Sequence, residues 1–382
     1  MTGWRAVALL IPLVLASLTP LVCGYTNEEN LVFTLRITTT YINHGSSTWN
    51  LTKEDATVYL FPNNSWQRVT LEYTSHPIME VGVDSDGNPI SILDFGVWSL
   101  APGENLTYTT VYRITSTPRA LPQVSVEEAG TLRDIPEGLR LNYCEEEGCW
   151  MVNDEELREL AYNLSDGEEN VLAILTRFAL WISGNVAYKS FDVPLYPNET
   201  YNLRLGDCDD QANLLITLCR IVGIPAYLQI GCIYYPGFQR DLAWDGHLET
   251  VSWNVGWHGW AVVYVPPWGW LPVDLTYSTF KISGDPLDMI RTSAIAGAQT
   301  ILYANITETD YSASTRALKE FLKAHNFTIR SEEEMRLEVP HQPPTAIVEP
   351  LEMAAVAVAS CVIAVFVWRL YIRRGGVVVR PY

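Results

Sequence analysis

Between Ala212 and Val222 the chain carries apolar residues around nearly the whole circumference of a helix. Ala212, Leu215, Ile216, Cys219 and Val222 recur at spacings of three and four, and Leu214, Leu218 and Ile221 extend the apolar surface onto a neighbouring face. Asn213, Thr217 and Arg220 leave only a thin polar stripe. A helix of this kind is buried on most sides, so the rest of the fold must be arranged around it. Gly223 ends it and Pro225 forbids its resumption. Upstream, Gly206-Asp207-Cys208-Asp209-Asp210 puts Cys208 at the helix start. Unpaired N–H groups and the positive end of the helix dipole favour the thiolate there, the nucleophilic form of cysteine. Asp207, Asp209 and Asp210 oppose that effect if they face the sulfur. A buried structural thiol is the commoner fate of a free cysteine and stays open as the alternative.

About fifty residues on, His258 to Val265 and Leu271 to Thr276 are apolar runs joined by Pro266-Pro267-Trp268-Gly269-Trp270, the pattern of an antiparallel hairpin. A histidine at the start of the first strand and Asp274 near the end of the second then lie side by side across the ladder. Cysteine, imidazole and carboxylate are the three parts of an activated acyl-transfer site. His247, in Asp245-Gly246-His247, is the weaker candidate base, lacking a following strand and a paired aspartate.

With Gly206-Asp207-Cys208-Asp209-Asp210, Arg220 to Ala226, His258-Gly259-Trp260 and Gly269 to Thr276 in this order, the chain resembles the transglutaminase-like superfamily, which shares its core with papain-like cysteine peptidases. The resemblance covers roughly residues 170 to 280. It implies Cys208 as nucleophile, His258 as general base and later acid, and Asp274 as the group that orients the imidazole. It also implies Tyr188 as an oxyanion partner beside the Cys208 N–H, although a tyrosine there is more often packing.

The ends of the chain carry a different signal. Arg5 followed by an apolar run from Ala6 to Val22 makes residues 1–24 a signal peptide or uncleaved anchor. Residues 353–372, broken only by Arg369, approach the roughly 20 residues that cross a bilayer. Arg369, Arg373, Arg374 and Arg380 lie on or beyond the C-terminal side and Glu349 and Glu352 on the other, so residues 373–382 form a basic cytoplasmic tail and the bulk lies outside the cell. Glycosylation triplets at Asn50, Asn63, Asn105, Asn163, Asn198, Asn305 and Asn326 all fall between the two apolar segments. A formal charge of −19 without a basic tract disfavours a nucleic-acid partner. In an exported chain, Cys144 and Cys149 around a charged loop read as a small disulfide, and no zinc or cofactor motif is present. If Cys219 then pairs with Cys232, Cys208 is left free; Cys219 is equally readable as a plain buried thiol.

Residues 25–125, with alternation at Leu31 to Tyr41 and Leu106 to Ile114, read as a β-sandwich. Residues 126–330 make the core, with helices at Asp154 to Tyr162, Val171 to Gly184 and Ser314 to Ala324, Lys319 and Lys323 of the last reading as solvated surface. The acidic, Pro-containing residues 331–352 suit a linker. The expected fold is thus α+β: a β-sandwich, a papain-like transglutaminase core and one C-terminal transmembrane helix. The expected function is cysteine-dependent acyl transfer on protein or peptide substrates at the outer cell surface; the alternative is a non-catalytic binding or adhesion protein on the same scaffold.

Overall fold

The computed structural model describes residues 30–338. The segments expected at 1–24 and 353–372, the rest of the linker and the basic tail lie outside the described residues. Among the described residues no helix is long and apolar enough to cross a membrane.

The fold is a mixed α+β arrangement built mainly on one sheet, two of whose strands show the period-two burial that drives sheet formation. In β1 (Leu31–Asn43), Phe33, Leu35 and Tyr41 are buried. β8 (Asn105–Ser116) answers with Tyr108, Tyr112 and Ile114, and the register sets Leu35 opposite Tyr112. β4 (Gln67–Thr74) pairs with the outer side of β8. On the other side of β1 lies β15 (Phe327–Leu337), antiparallel, which in turn runs parallel to β12 (Leu248–Val265). β12 also pairs with β11 (Ala226–Trp244), and β11 with β14 (Thr300–Ile306). The result is an eight-stranded sheet of order β14-β11-β12-β15-β1-β8-β4, with β13 (Gly269–Val273) attached to β12.

The stretch expected as a free-standing sandwich is therefore only partly self-contained. A second layer does exist, from β3 (Thr57–Tyr59), β5 (Ile78–Val83) and β6 (Pro89–Leu93), with β2 (Trp49–Asn50) and β7 (Ser99–Leu100) as a small pair. Val58, Leu93, Trp49 and Leu100 from this layer cluster with Tyr41 and Tyr108. The larger layer, however, is shared with the core, because β15 returns from the C-terminal side to pair with β1. Side-chain amides tighten the union. Gln67 exchanges hydrogen bonds with the backbone of Leu302 at 2.8 and 2.7 Å, and Asn88 does the same with Asn305 at 2.8 and 2.7 Å. Both thereby occupy the outer edge of β14, where an unpaired strand would otherwise expose its donors and acceptors.

The start of the linker is corrected on the same ground: residues 331–337 belong to β15. Glu332, Glu333 and Glu334 look like a solvated run, yet Glu333 is buried, accepting from Trp257 Nε1 at 2.7 Å and Ser252 Oγ at 3.0 Å. Alternation along a strand sends one acid of the three inward.

The helices are α1 (Glu137–Tyr143), α2 (Glu155–Ser165), α3 (Val171–Asn185), α4 (Pro197–Leu203), α5 (Cys208–Ile221), the short α6 (Phe280–Ser283) and α7 (Asp288–Arg291), and α8 (Tyr311–His325). Most pack around α5 on β11 and β12, whereas the last one lies against β15 and the Trp49 cluster. α5 is the centre: every residue from Asp210 to Ile221 is buried, and Leu215 and Leu218 meet Leu157, Phe178, Leu228 and Val263 in one cluster. Its polar stripe is buried as well. Arg220, 2 % exposed, donates to the carbonyls of Ala226, Glu145 and Thr307, and its guanidinium lies 3.9 Å from the Trp150 ring centroid.

Two further expectations are corrected. Cys144 and Cys149 are not bonded; Cys144 follows the last residue of α1, whereas Cys149 is buried in the main core beside Trp150. Cys219 and Cys232 are also free and fall in different core clusters. Lys319 is not solvated surface: it is 9 % exposed, with Nζ 2.9 Å from Asp192 and 3.5 Å from Asp245. Of the glycosylation candidates, Asn50, Asn63, Asn105 and Asn163 are exposed. Asn198 is half-buried, Asn305 is half-buried on β14 with Oδ1 accepting from Gln229, and Asn326 is exposed but donates to the His44 carbonyl.

Candidate active site

Two glycines bring the site together. β10 (Leu205–Gly206) lies parallel to β9 (Ala187–Tyr188), with Gly206 opposite Tyr188, which delivers Tyr188 beside the head of α5. A Cβ on Gly206 would stand 2.8 Å from Cβ of Asp210. The Asp210 carboxylate accepts from the backbone N–H of Asp207 at 3.1 Å, capping the helix start, and from that of Leu195 at 2.7 Å, tying in the segment before α4. On the facing strand, a Cβ on Gly259 would stand 2.8 Å from Cβ of Asp209. The first turn of α5 is thus pressed onto β12 at the residue after His258.

His258 Nε2 and Asp274 Oδ2 are 2.9 Å apart, and both side chains are buried. The pairing differs in detail from the expected hairpin. β12 begins at Leu248, ten positions before His258, and the last ladder pair is Ala261 with Val273. Asp274 sits one residue past β13 and reaches His258 diagonally, on the same face of the ladder. Its backbone leaves the strand by donating to the Met289 carbonyl at 2.8 Å, next to α7. Oδ1 accepts from the N–H groups of Thr276 at 3.1 Å and Tyr277 at 2.9 Å, and Oδ2 also from Ala294 at 3.1 Å. Burial works against the charge of Asp274, but His258 and these N–H donors outweigh it and hold the carboxyl below its ordinary range. With Nε2 bound to Asp274, Nδ1 is the imidazole nitrogen left for a reaction.

Cys208 is half-buried, and the acidic neighbours do face its sulfur: Sγ lies 3.8 Å from Asp209 Oδ1. Its enclosed position and the carboxylates of Asp209 and Asp207 push the thiol well up, against the N–H groups of Gly259 and Asp209, which favour the thiolate. The helix-dipole effect is therefore overridden. Burial, with Asp209 and Asp210 beside it, likewise pushes Asp207 up to about 9, and burial together with Asp209 pushes Asp210 up to about 7. Asp209 itself is held from behind: Tyr311 of α8 donates to Oδ2 at 2.8 Å, Asn213 donates to the Tyr311 hydroxyl at 2.6 Å, and Trp150 Nε1 reaches Asn213 at 3.3 Å.

Cys208, His258 and Tyr188 line one cavity of about 280 Å³. Tyr188 is 58 % exposed and turned to the opening rather than packed inside. The expected residues are thus brought together, with Asp274 behind His258. His247 is not among them; its Nδ1 is 2.8 Å from the Phe327 carbonyl oxygen, a structural bond, and a strand does follow it. Asp207, Cys208 and Asp209 each offer a ligand atom within 4.8 Å of the others, the one such trio among the described residues. The Tyr311 hydroxyl already engages Asp209. Sequence reasoning missed Tyr311 and Glu333, and it included Gly259 in the His258-Gly259-Trp260 block without assigning it the contact with Asp209. Neither Tyr311 nor Glu333 carried a local signal, whereas Gly259 is a small residue directly after the histidine.

A family model described as "Transglutaminase-like superfamily" matches residues 158–275, which contain Cys208, Tyr188, His258 and Asp274. No curated protein matches the chain. Among solved structures, a candidate cysteine protease from Cytophaga hutchinsonii is 16 % identical with a TM-score of 0.47, covering 83 % of this chain and 93 % of its own. The periplasmic domain of TgpA from Pseudomonas aeruginosa is 17 % identical with a TM-score of 0.32, covering 69 % and 92 %. Red sea bream transglutaminase is 11 % identical with a TM-score of 0.26, covering 65 % and 48 %. Residues 158–275 form a transglutaminase-like superfamily domain.

Proposed function

We propose that this protein performs cysteine-dependent acyl transfer on protein or peptide amides. The single observation that carries the reading is the buried 2.9 Å contact between His258 and Asp274, on a strand whose next residue abuts the turn bearing Cys208. Cys208 attacks the amide carbonyl while His258 takes its proton. His258 then gives the proton to the leaving amine, and an amine or water resolves the thioester. Resolution by an amine forms a new amide; resolution by water completes hydrolysis. Asp274 keeps the imidazole in one tautomer and stabilises its protonated form. The Cys208 N–H and the Tyr188 hydroxyl donate to the oxyanion. Because carboxylates and enclosure disfavour the thiolate, Cys208 rests as a thiol and is deprotonated during attack.

We place the reaction outside the cell, with residues 1–24 directing export and residues 353–372 tethering the chain. A second reading, a surface binding protein without turnover, is favoured by that same raised thiol. Intact mass measurement of the full chain, incubated with mixed glutamine-containing peptides and a fluorescent amine, separates the two. An acyl adduct on Cys208 that is lost in His258→Ala is expected, and amine incorporation or peptide cleavage then tells transfer from hydrolysis. Failure to detect adduct, incorporation or cleavage with any peptide favours the binding protein.

A further inference from the structure

Arg240 belongs to the outer part of the β11–β12 hairpin, opposite Ser252 and beyond the irregularity between Tyr234 and Gln239. Its side chain is exposed, and no hydrogen bond or ion pair to it occurs among the described residues. Other cations of the chain, such as Arg291, Arg316 and Lys319, meet carboxylates at 2.9, 2.5 and 2.9 Å. Arg240 instead lines the cavity that holds Cys208 and also a second cavity of about 410 Å³. The two share Tyr188, Phe238, Arg240, Gly256, Trp257 and His258, so together they make one groove that passes His258.

The two halves differ in charge. Asp207 and Asp209 line the first, whereas no acid lines the second, whose walls include Tyr235, Phe238 and Tyr277. A guanidinium offers a rigid fork of donors that matches a carboxylate. The geometry points to Arg240 as a specificity residue that takes a carboxylate of the substrate in the second half of the groove. The substrate is then a peptide with a carboxylate close to its reacting amide, either an acidic side chain or a free chain terminus. This deepens the acyl-transfer reading and rests on it only for which bond reacts.

Occupancy is measured without turnover, by protection of Cys208 from iodoacetamide in the detergent-solubilised full chain, read by mass spectrometry. Three tetrapeptides serve as probes: neutral with an amidated terminus, the same with one glutamate, and the neutral sequence with a free terminal carboxylate. At least one acid-bearing peptide should protect at a roughly tenfold lower concentration than the neutral amide, as one charge-assisted pair allows. Which one does so identifies the source of the carboxylate. In Arg240→Gln the preference should fall to about one, and in Arg240→Lys it should be intermediate, because the charge remains and the fork is lost. Equal protection by all three peptides, no protection by any, or a preference that survives Arg240→Gln overturns the proposal. Protection without any acyl adduct would instead remove the catalytic reading and leave this one standing.

Discussion

The two ends of α5 are built from the same buried helix and treated in opposite ways. At its C-terminal end Arg220 is 2 % exposed, yet three carbonyls accept its donors and Trp150 covers its face. Burial lowers its pKa only to about 10, so it stays charged at neutral pH. At the N-terminal end three acids and a thiol share one turn without a cation among their hydrogen-bond partners, and three of the four groups are pushed toward their neutral forms. A buried charge whose three nitrogens each donate a hydrogen bond fastens Glu145, Ala226 and Thr307 to the helix. A cluster left short of compensation costs stability and is the pattern of a functional site.

The contrast is broken most directly by exchanging what each end is asked to do. Cys208→Ala should abolish acyl transfer, by on the order of 10⁴-fold or more, while the thermal midpoint does not fall. A loss of stability with residual turnover would make the N-terminal end structural. Arg220→Met should do the reverse: urea unfolding should show a loss of about 3–5 kcal/mol, from carbonyls left unsatisfied, with turnover per folded molecule unchanged. Gly259→Ala tests the seam between them. The added methyl would meet Cβ of Asp209 at 2.8 Å and lift the first turn of α5 from β12, so kcat/KM should drop about 10²-fold with little change in unfolding midpoint.

How much of this was legible depended on whether the signal was local. The apolar residues of α5, Gly206, His258-Gly259 and the turn at Pro266 to Trp270 carry their spacing within a few positions, and they located helix, strands and site. Glu333 did not, because one strand alternating inward looks the same on paper as a charged linker. Lys319 was misread as surface for a related reason: its partners Asp192 and Asp245 come from distant segments. The shared sheet was hidden too, since β15 pairs with β1 across nearly the whole described chain. Even the ionisation of Cys208 was undecidable until the direction of Asp209 was known.

The smallest effect sharpens the comparison without touching the nucleophile. Asp207 is raised to about 9 and Asp210 to about 7, against about 3.9 for an aspartate in the unfolded chain. Both therefore hold protons in the folded state that the unfolded chain has released, and the sign follows: their contribution is fully present below about pH 4 and is lost as pH rises, through about 7 for Asp210 and about 9 for Asp207. The thermal midpoint should decline from pH 5 to 9, counter to a protein whose paired carboxylates dominate. Asp207→Asn mimics the protonated acid in shape and cannot ionise, so it should remove the part of the decline between pH 7 and 9 and about halve the slope between pH 5 and 7, where Asp210 still contributes. A variant with the wild-type slope would mean that Asp207 ionises freely, and the N-terminal end of α5 would then be no less satisfied than the end held by Arg220.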